Sequence, residues 1–271
     1  MKLLKYIKFI LPALIFYIMM EFFFRSFGLS KSSLITLFLI SILSAFWITK
    51  YRFLPIILIL LFTTGSVLTL ITIGRNSFQQ LYIELVSITF FFSLIGLHRF
   101  FIQQENWMKR ENIKSKILDS GFNLNQSIIL ISIFLISSGT YGLYIDLDLP
   151  LWLLIIIIFV TIFSSTIYLT RINFLKSKAE EIHLDTVKNK TFNFYSFLLS
   201  LIIVELTWAL SFSPANHLTV GALILSMYYP YWNILKYYLR NKLTKKIVAS
   251  NILFFLLFLS ITIISGQWTI S

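Results

Sequence analysis

The chain has 271 residues, of which 58% are apolar, 17% aromatic and only 13% charged, with a mean hydropathy of +0.84. A soluble domain cannot bury that much apolar surface, so the composition excludes an ordinary globular protein and points to a bilayer. The net charge of +12 would suit nucleic acid in a soluble protein, but these cations stand between apolar runs, where anionic lipid headgroups are the matching partner and no nucleic acid is implied.

The first element opens on a basic segment with Lys2, Lys5 and Lys8 and runs apolar to Phe24. It has the order of a secretory signal but lacks a small-x-small cleavage site, since Met19, Met20, Glu21 and phenylalanines occupy that place, so it reads as a retained helix. Further apolar runs follow, placing spans near 6–24, 34–49, 53–73, 80–102, 126–145, 150–170, 193–212, 218–238 and 247–268. Each is long enough, or nearly so, to cross a hydrocarbon core as a helix. The runs are continuous rather than alternating, which excludes a barrel. Spans two and three, divided by Lys50-Tyr-Arg52, could instead form one re-entrant pair. The expected fold is therefore an all-α integral membrane protein of about nine helices in one domain, without an internal repeat.

Orientation follows from the basic loops, because Lys and Arg are retained on the cytoplasmic side of short loops. With nine spans, all but Arg25, Lys31 and Arg75 of the 23 basic residues fall on one side. The N-terminus is then cytoplasmic and the C-terminus outside. The loop-proximal segments 104–121 and 171–192 mix basic and apolar residues and read as surface-lying amphipathic helices.

Charges inside apolar runs carry the most information, because an ionised carboxylate near a helix centre costs about 2.5–3.5 kcal/mol on insertion scales. Glu21, Glu84 and Glu205 are such residues, and all three sit about 6–10 Å below the outer boundary at 1.5 Å per residue. The functional reading gathers them from helices one, four and seven around a polar cavity open to the outer face, together with Asp146, Asp148 and His217 from the outer loops. The bland reading pairs Glu21 with Arg25 and Glu84 with Arg75, or lets Glu84 snorkel. Glu205 has no cation within reach on its own helix, so it is expected to face other helices, as a site or as structural glue. Trp208 and Phe212 share its face and either shape a slot or pack.

Other features are weaker. Ser138-Gly139-Thr-Tyr-Gly142 offers small residues for close helix approach. Tyr228, Tyr229, Tyr231 and Trp232 around Pro230 read as an interfacial aromatic belt, and His98-Arg99 as an interfacial anchor. Glu180 and His183 have the spacing of ligands on one helical face, but only three histidines exist and a solvated loop is the simpler reading, so no metal site is expected. Zero cysteines exclude thiolate metal sites and cysteine nucleophiles. No zinc-peptidase, nucleophile-elbow, Walker or dinucleotide motif is present, so no cofactor is implied.

The stretch Glu205-Leu-Thr-Trp-Ala-Leu-Ser-Phe-Ser-Pro214, with His217-Leu-Thr-Val-Gly-Ala-Leu223, Tyr228-Tyr229 and Trp268, resembles an uncharacterised polytopic membrane family of candidate-phyla (Patescibacteria-like) bacteria, mainly over residues 203–270. Ser213 stands where that pattern has leucine. The resemblance implies a bacterial cytoplasmic membrane and no mechanism. The readings left open are a membrane scaffold or assembly factor, a small carrier with a polar site in the outer leaflet, and an integral membrane enzyme acting on a lipid or lipid-linked glycan.

Overall fold

The computed structural model describes residues 2–25, 31–49, 54–73, 78–109, 115–179, 186–213, 215–239 and 242–265. The described chain forms helices α1 (Lys2–Arg25), α2 (Lys31–Thr49), α3 (Leu54–Ile73), α4 (Phe78–Lys109), α5 (Ser115–Asp146), α6 (Leu151–Ala179), α7 (Thr186–Leu210), α8 (His217–Leu239) and α9 (Lys245–Ser265). Each apolar run of the sequence lies in one helix, as a chain without water must satisfy every backbone N–H and C=O within itself. Among the described residues, α3, α4, α5, α6, α7 and α9 each hold a stretch long and apolar enough to cross a membrane. The protein is an all-helical, multi-pass membrane protein.

The remaining three helices fall short of that measure among the described residues. The apolar stretch of α2, Ile35–Ile48, is shorter. In α8 the run of Tyr228, Tyr229, Pro230, Tyr231, Trp232 and Asn233 dilutes the hydropathy, and in α1 the described run is bounded by Lys8 and Glu21. The segments expected to lie on the surface instead extend their neighbours: α4 continues to Lys109, α5 starts at Ser115, and α6 continues to Ala179. Helical hydrogen bonding propagates more cheaply than it nucleates, so an adjoining helix simply runs on. The Lys50–Arg52 turn and the Glu180–His183 pair lie outside the described residues.

Helix α5 is the hub, packing against α3, α4, α6 and α8. Its small residues set the approach. A Cβ on Gly139 would lie 2.6 Å from the Thr69 backbone nitrogen of α3, and one on Gly142 would lie 2.5 Å from Thr72 Cγ2. On another face, a Cβ on Gly221 of α8 would meet Ser138 Cβ at 2.8 Å. The Ser138–Gly142 stretch thus brings two helices in at once, the close approach its composition implies. Thr69 Oγ1 then hydrogen-bonds across to the Leu135 carbonyl at 2.8 Å, as well as to Gly65 of its own helix at 2.9 Å. Other buried hydroxyls, such as Ser66, Ser132 and Thr140, donate to carbonyls four residues back. That local bonding lets a polar side chain sit in a water-free core.

Around this hub, α1 is antiparallel to α4, with Phe16 stacked on Phe90 at 4.2 Å and Phe9 edge-on to His98 at 5.1 Å. Among the described residues, helix α7 packs on α6 and α8, and α9 packs on α8 and no other helix. The α8–α9 seam is held by Asn233 Nδ2 donating to Asn251 Oδ1 at 2.8 Å and by Tyr229 against Phe254 at 5.2 Å.

Candidate functional site

The sequence-derived candidates separate into three places. Glu21 and Glu84 share one. The Phe16–Phe90 contact fixes the α1–α4 register. Glu21 lies five residues beyond Phe16 and Glu84 six before Phe90, so they are level to about 1.5 Å. Glu21 is half-buried and Glu84 exposed. Glu84 lines a groove of about 520 Å³ between α1 and α4, with Tyr17, Ser87 and Ile88 towards its end and Phe91, Leu14 and Ile10 along its apolar length. The partners proposed for these acids, Arg25 and Arg75, lie outside the described side chains. A second groove, of about 370 Å³, runs between α1 and α2 past Pro12, Ser44 and Trp47 and holds no ionisable group.

The second place is the rim where α5 ends and α8 begins. Half-burial of the His217 imidazole draws its pKa below 6.5, partly offset by the Asp146 carboxylate, whose charge favours the protonated ring. Asp148 follows in an exposed turn with φ of 49°, a left-handed conformation that Asp tolerates better than most side chains. Beneath them, Tyr141 donates to the Leu210 carbonyl at 2.9 Å, tying α5 to the end of α7. Its hydroxyl also meets Ser213. Sequence reading missed Tyr141 and Ser213, although Tyr141 stands inside the Ser138–Gly142 stretch that marks α5 as closely packed. Ser213 Oγ donates to the same Leu210 carbonyl at 2.9 Å, so both hydroxyl hydrogens close the end of α7, while the imidazole and carboxylate stand at the same end of the bundle.

Glu205 occupies the third place, and the expectation that it faces other helices is corrected. It is exposed on α7, and no hydrogen bond or ion pair reaches it among the described residues. The packed face of α7 is set by Ser196, Ser200, Ile203 and Thr207, all fully buried. Glu205 is two residues from both Ile203 and Thr207, roughly 200° around the helix, and so points away. Trp208 and Phe212 share its exposed side and meet edge to face at 5.4 Å, with Phe212 71% exposed. Among the described residues α7 packs against neither α1 nor α4. One cavity joining Glu21, Glu84 and Glu205 is therefore not formed.

The aromatic cluster of α8 also differs from the expected belt. Tyr228 and Trp232 are fully buried, with Thr166 Oγ1 of α6 lying 3.4 Å from the Tyr228 hydroxyl; Tyr231 alone of the four is exposed. Residues 228 and 232 are four apart and face the hub, whereas 231 points outward. His98 meets Lys8 of α1 at 3.2 Å and joins two helices as well as marking an end. No group of three or more potential metal ligands occurs among the described residues. Comparison with protein-family models, curated proteins and solved structures finds no match.

Proposed function

We propose that all nine helices cross a bacterial cytoplasmic membrane with the N-terminus inside and the C-terminus outside, and that the protein is a membrane scaffold or assembly factor whose α7 face docks a transmembrane helix of a partner. The asymmetry of basic residues and the partial resemblance of residues 203–270 support the setting. The lengths of α1, α2 and α8, 24, 19 and 23 residues, support full crossing, since 19 residues already span about 28 Å.

The observation that carries the docking reading is the exposed Glu205 inside an apolar helix. No described residue compensates its desolvation. A partner helix bearing Lys, Arg or a hydroxyl at that depth would supply the missing charge or donor, and Trp208 and Phe212 are the large, rigid side chains that anchor interfaces. A carrier is less well supported, because α7, which holds the third carboxylate, packs against neither α1 nor α4 among the described residues.

A photo-crosslinker placed at Phe212 tests the reading in native membranes. The expected adduct maps to a transmembrane segment with a basic or hydroxyl residue opposite Glu205. Glu205→Gln, which keeps the shape and removes the charge, should reduce it about tenfold without changing thermal stability. Undiminished adducts in Glu205→Gln, or adducts to lipid alone, would reject docking. Impermeant maleimide should label single cysteines at Asp148 and Asn216 and spare one at Lys188; the reverse pattern would overturn the orientation.

The second reading, an enzyme acting on a lipid-linked substrate, is favoured by the Asp146–His217–Tyr141–Ser213 rim. It would require turnover that His217→Asn abolishes and Glu205→Gln leaves intact.

A further inference from the structure

We infer that the α1–α4 groove is a binding site for an amine-bearing phospholipid of the surrounding bilayer, with Glu84 receiving the headgroup ammonium. The groove has an amphiphile's polarity. Glu84, Ser87 and Tyr17 lie towards one end, with Ile88 beside them, and Phe91, Leu14 and Ile10 continue along the helices. The distance from Tyr17 to Ile10 is seven residues of α1, about 10 Å of apolar wall. Its volume of about 520 Å³ falls within the range of sites that enclose one small ligand or one acyl chain. Ile10, Leu14 and Ile88 are each about half exposed, at 47%, 52% and 53%, so the groove opens sideways along its length onto the apolar surface of the bundle. An occupant reaches it from the bilayer plane.

Charge selects the headgroup. No hydrogen bond or ion pair reaches Glu84 among the described residues, and the Ser87 hydroxyl is committed to the Ile83 carbonyl at 2.7 Å, leaving its oxygen as an acceptor. A second carboxylate, Glu21, stands at the same level on α1. A primary ammonium brings both positive charge and N–H donors to Glu84, Ser87 and the groove end. A quaternary ammonium brings charge without donors, and an anionic headgroup is repelled. The groove between α1 and α2, which has similar apolar walls and no carboxylate, gives the internal comparison, since any lipid tail should occupy it.

The test is lipid retention by the full chain, released from nanodiscs containing equal parts of phosphatidylethanolamine, phosphatidylcholine and phosphatidylglycerol and weighed by native mass spectrometry. The wild type should keep one phosphatidylethanolamine in preference to the other two. Glu84→Gln should lower that preference about tenfold, equivalent to about 1.4 kcal/mol, while retention of headgroup-blind lipid persists. Ile88→Trp, at an exposed position where folding is not at stake, should fill the groove and lower phosphatidylethanolamine retention with Glu84 intact. Equal retention of the three lipids by the wild type would overturn the inference. So would a preference that survives both substitutions. Neither outcome touches the α7 docking reading, which depends on Glu205.

Discussion

Helices α5 and α7 both lie in a bilayer and both carry serine, threonine and aromatic residues, yet they solve opposite problems. Helix α5 meets four neighbours and is buried through Ser132, Ser137, Gly139, Thr140 and Gly142. Helix α7 meets α6 and α8, and turns Phe194, Phe197, Leu201 and Trp208 outward. On α7, Phe194, Phe197 and Trp208 face outward while Ser196, Ser200 and Thr207 face inward. This inversion follows from the solvent: lipid tails are as apolar as leucine, so burial of large apolar groups gains little, and association depends on close backbone approach and hydroxyl bonding.

The contrast can be broken most forcefully at Gly139. Because a Cβ there would meet α3 backbone atoms rather than the end of a flexible side chain, Gly139→Val should cost about 3 kcal/mol or more, read as a large fall in melting temperature and loss of a monodisperse peak in detergent. Leu257→Ala on α9, at a side chain 57% exposed, should stay within about 0.5 kcal/mol, and a comparable loss there would refute the inside-out account. Thr69→Val keeps the shape and removes the hydroxyl that bridges to Leu135, so a loss of about 0.6–1 kcal/mol is expected; the same unfolding measurement reads it.

A smaller effect concerns the rim. Burial holds His217 below 6.5 in the folded chain, so the unfolded chain binds its proton first on acidification. The contribution of His217 is then fully present above about pH 6.5 and is lost as pH falls below that value. His217→Asn should flatten that part of the curve of melting temperature against pH relative to wild type. Asp146→Asn removes the carboxylate that favours the charged ring, so it should steepen the loss; a curve unchanged by either substitution would show that the two groups do not interact.

The fold was legible where the apolar runs are continuous. The run 53–73 becomes α3, Leu54–Ile73, and 34–49 becomes α2, Lys31–Thr49. The Ser138–Gly142 stretch announced its close contacts because small residues leave no alternative to backbone approach. Facing was not legible from hydropathy. Glu205 was expected inward on its insertion cost, but the direction of α7 is set by Ser196, Ser200 and Thr207, a small polar stripe that the apolar pattern masks. Tyr228 and Trp232 look like belt residues for the same reason; only their fourfold spacing, facing the hub, distinguishes them from Tyr231. The Asp146–His217 meeting depends on which loops adjoin, and no local pattern in a single sequence encodes that.

Among the described residues α9 packs on α8 and no other helix, which bears on how the protein is made. The hub helix α5 finds α3 and α4 already synthesised when it emerges, and its remaining contacts are complete once α8 follows. The last helix adds one seam, the Asn233–Asn251 bond and the Tyr229–Phe254 contact. A nascent chain that has not yet reached Lys245 therefore already holds every described contact of α5, and one flank of α8 stays open until α9 arrives.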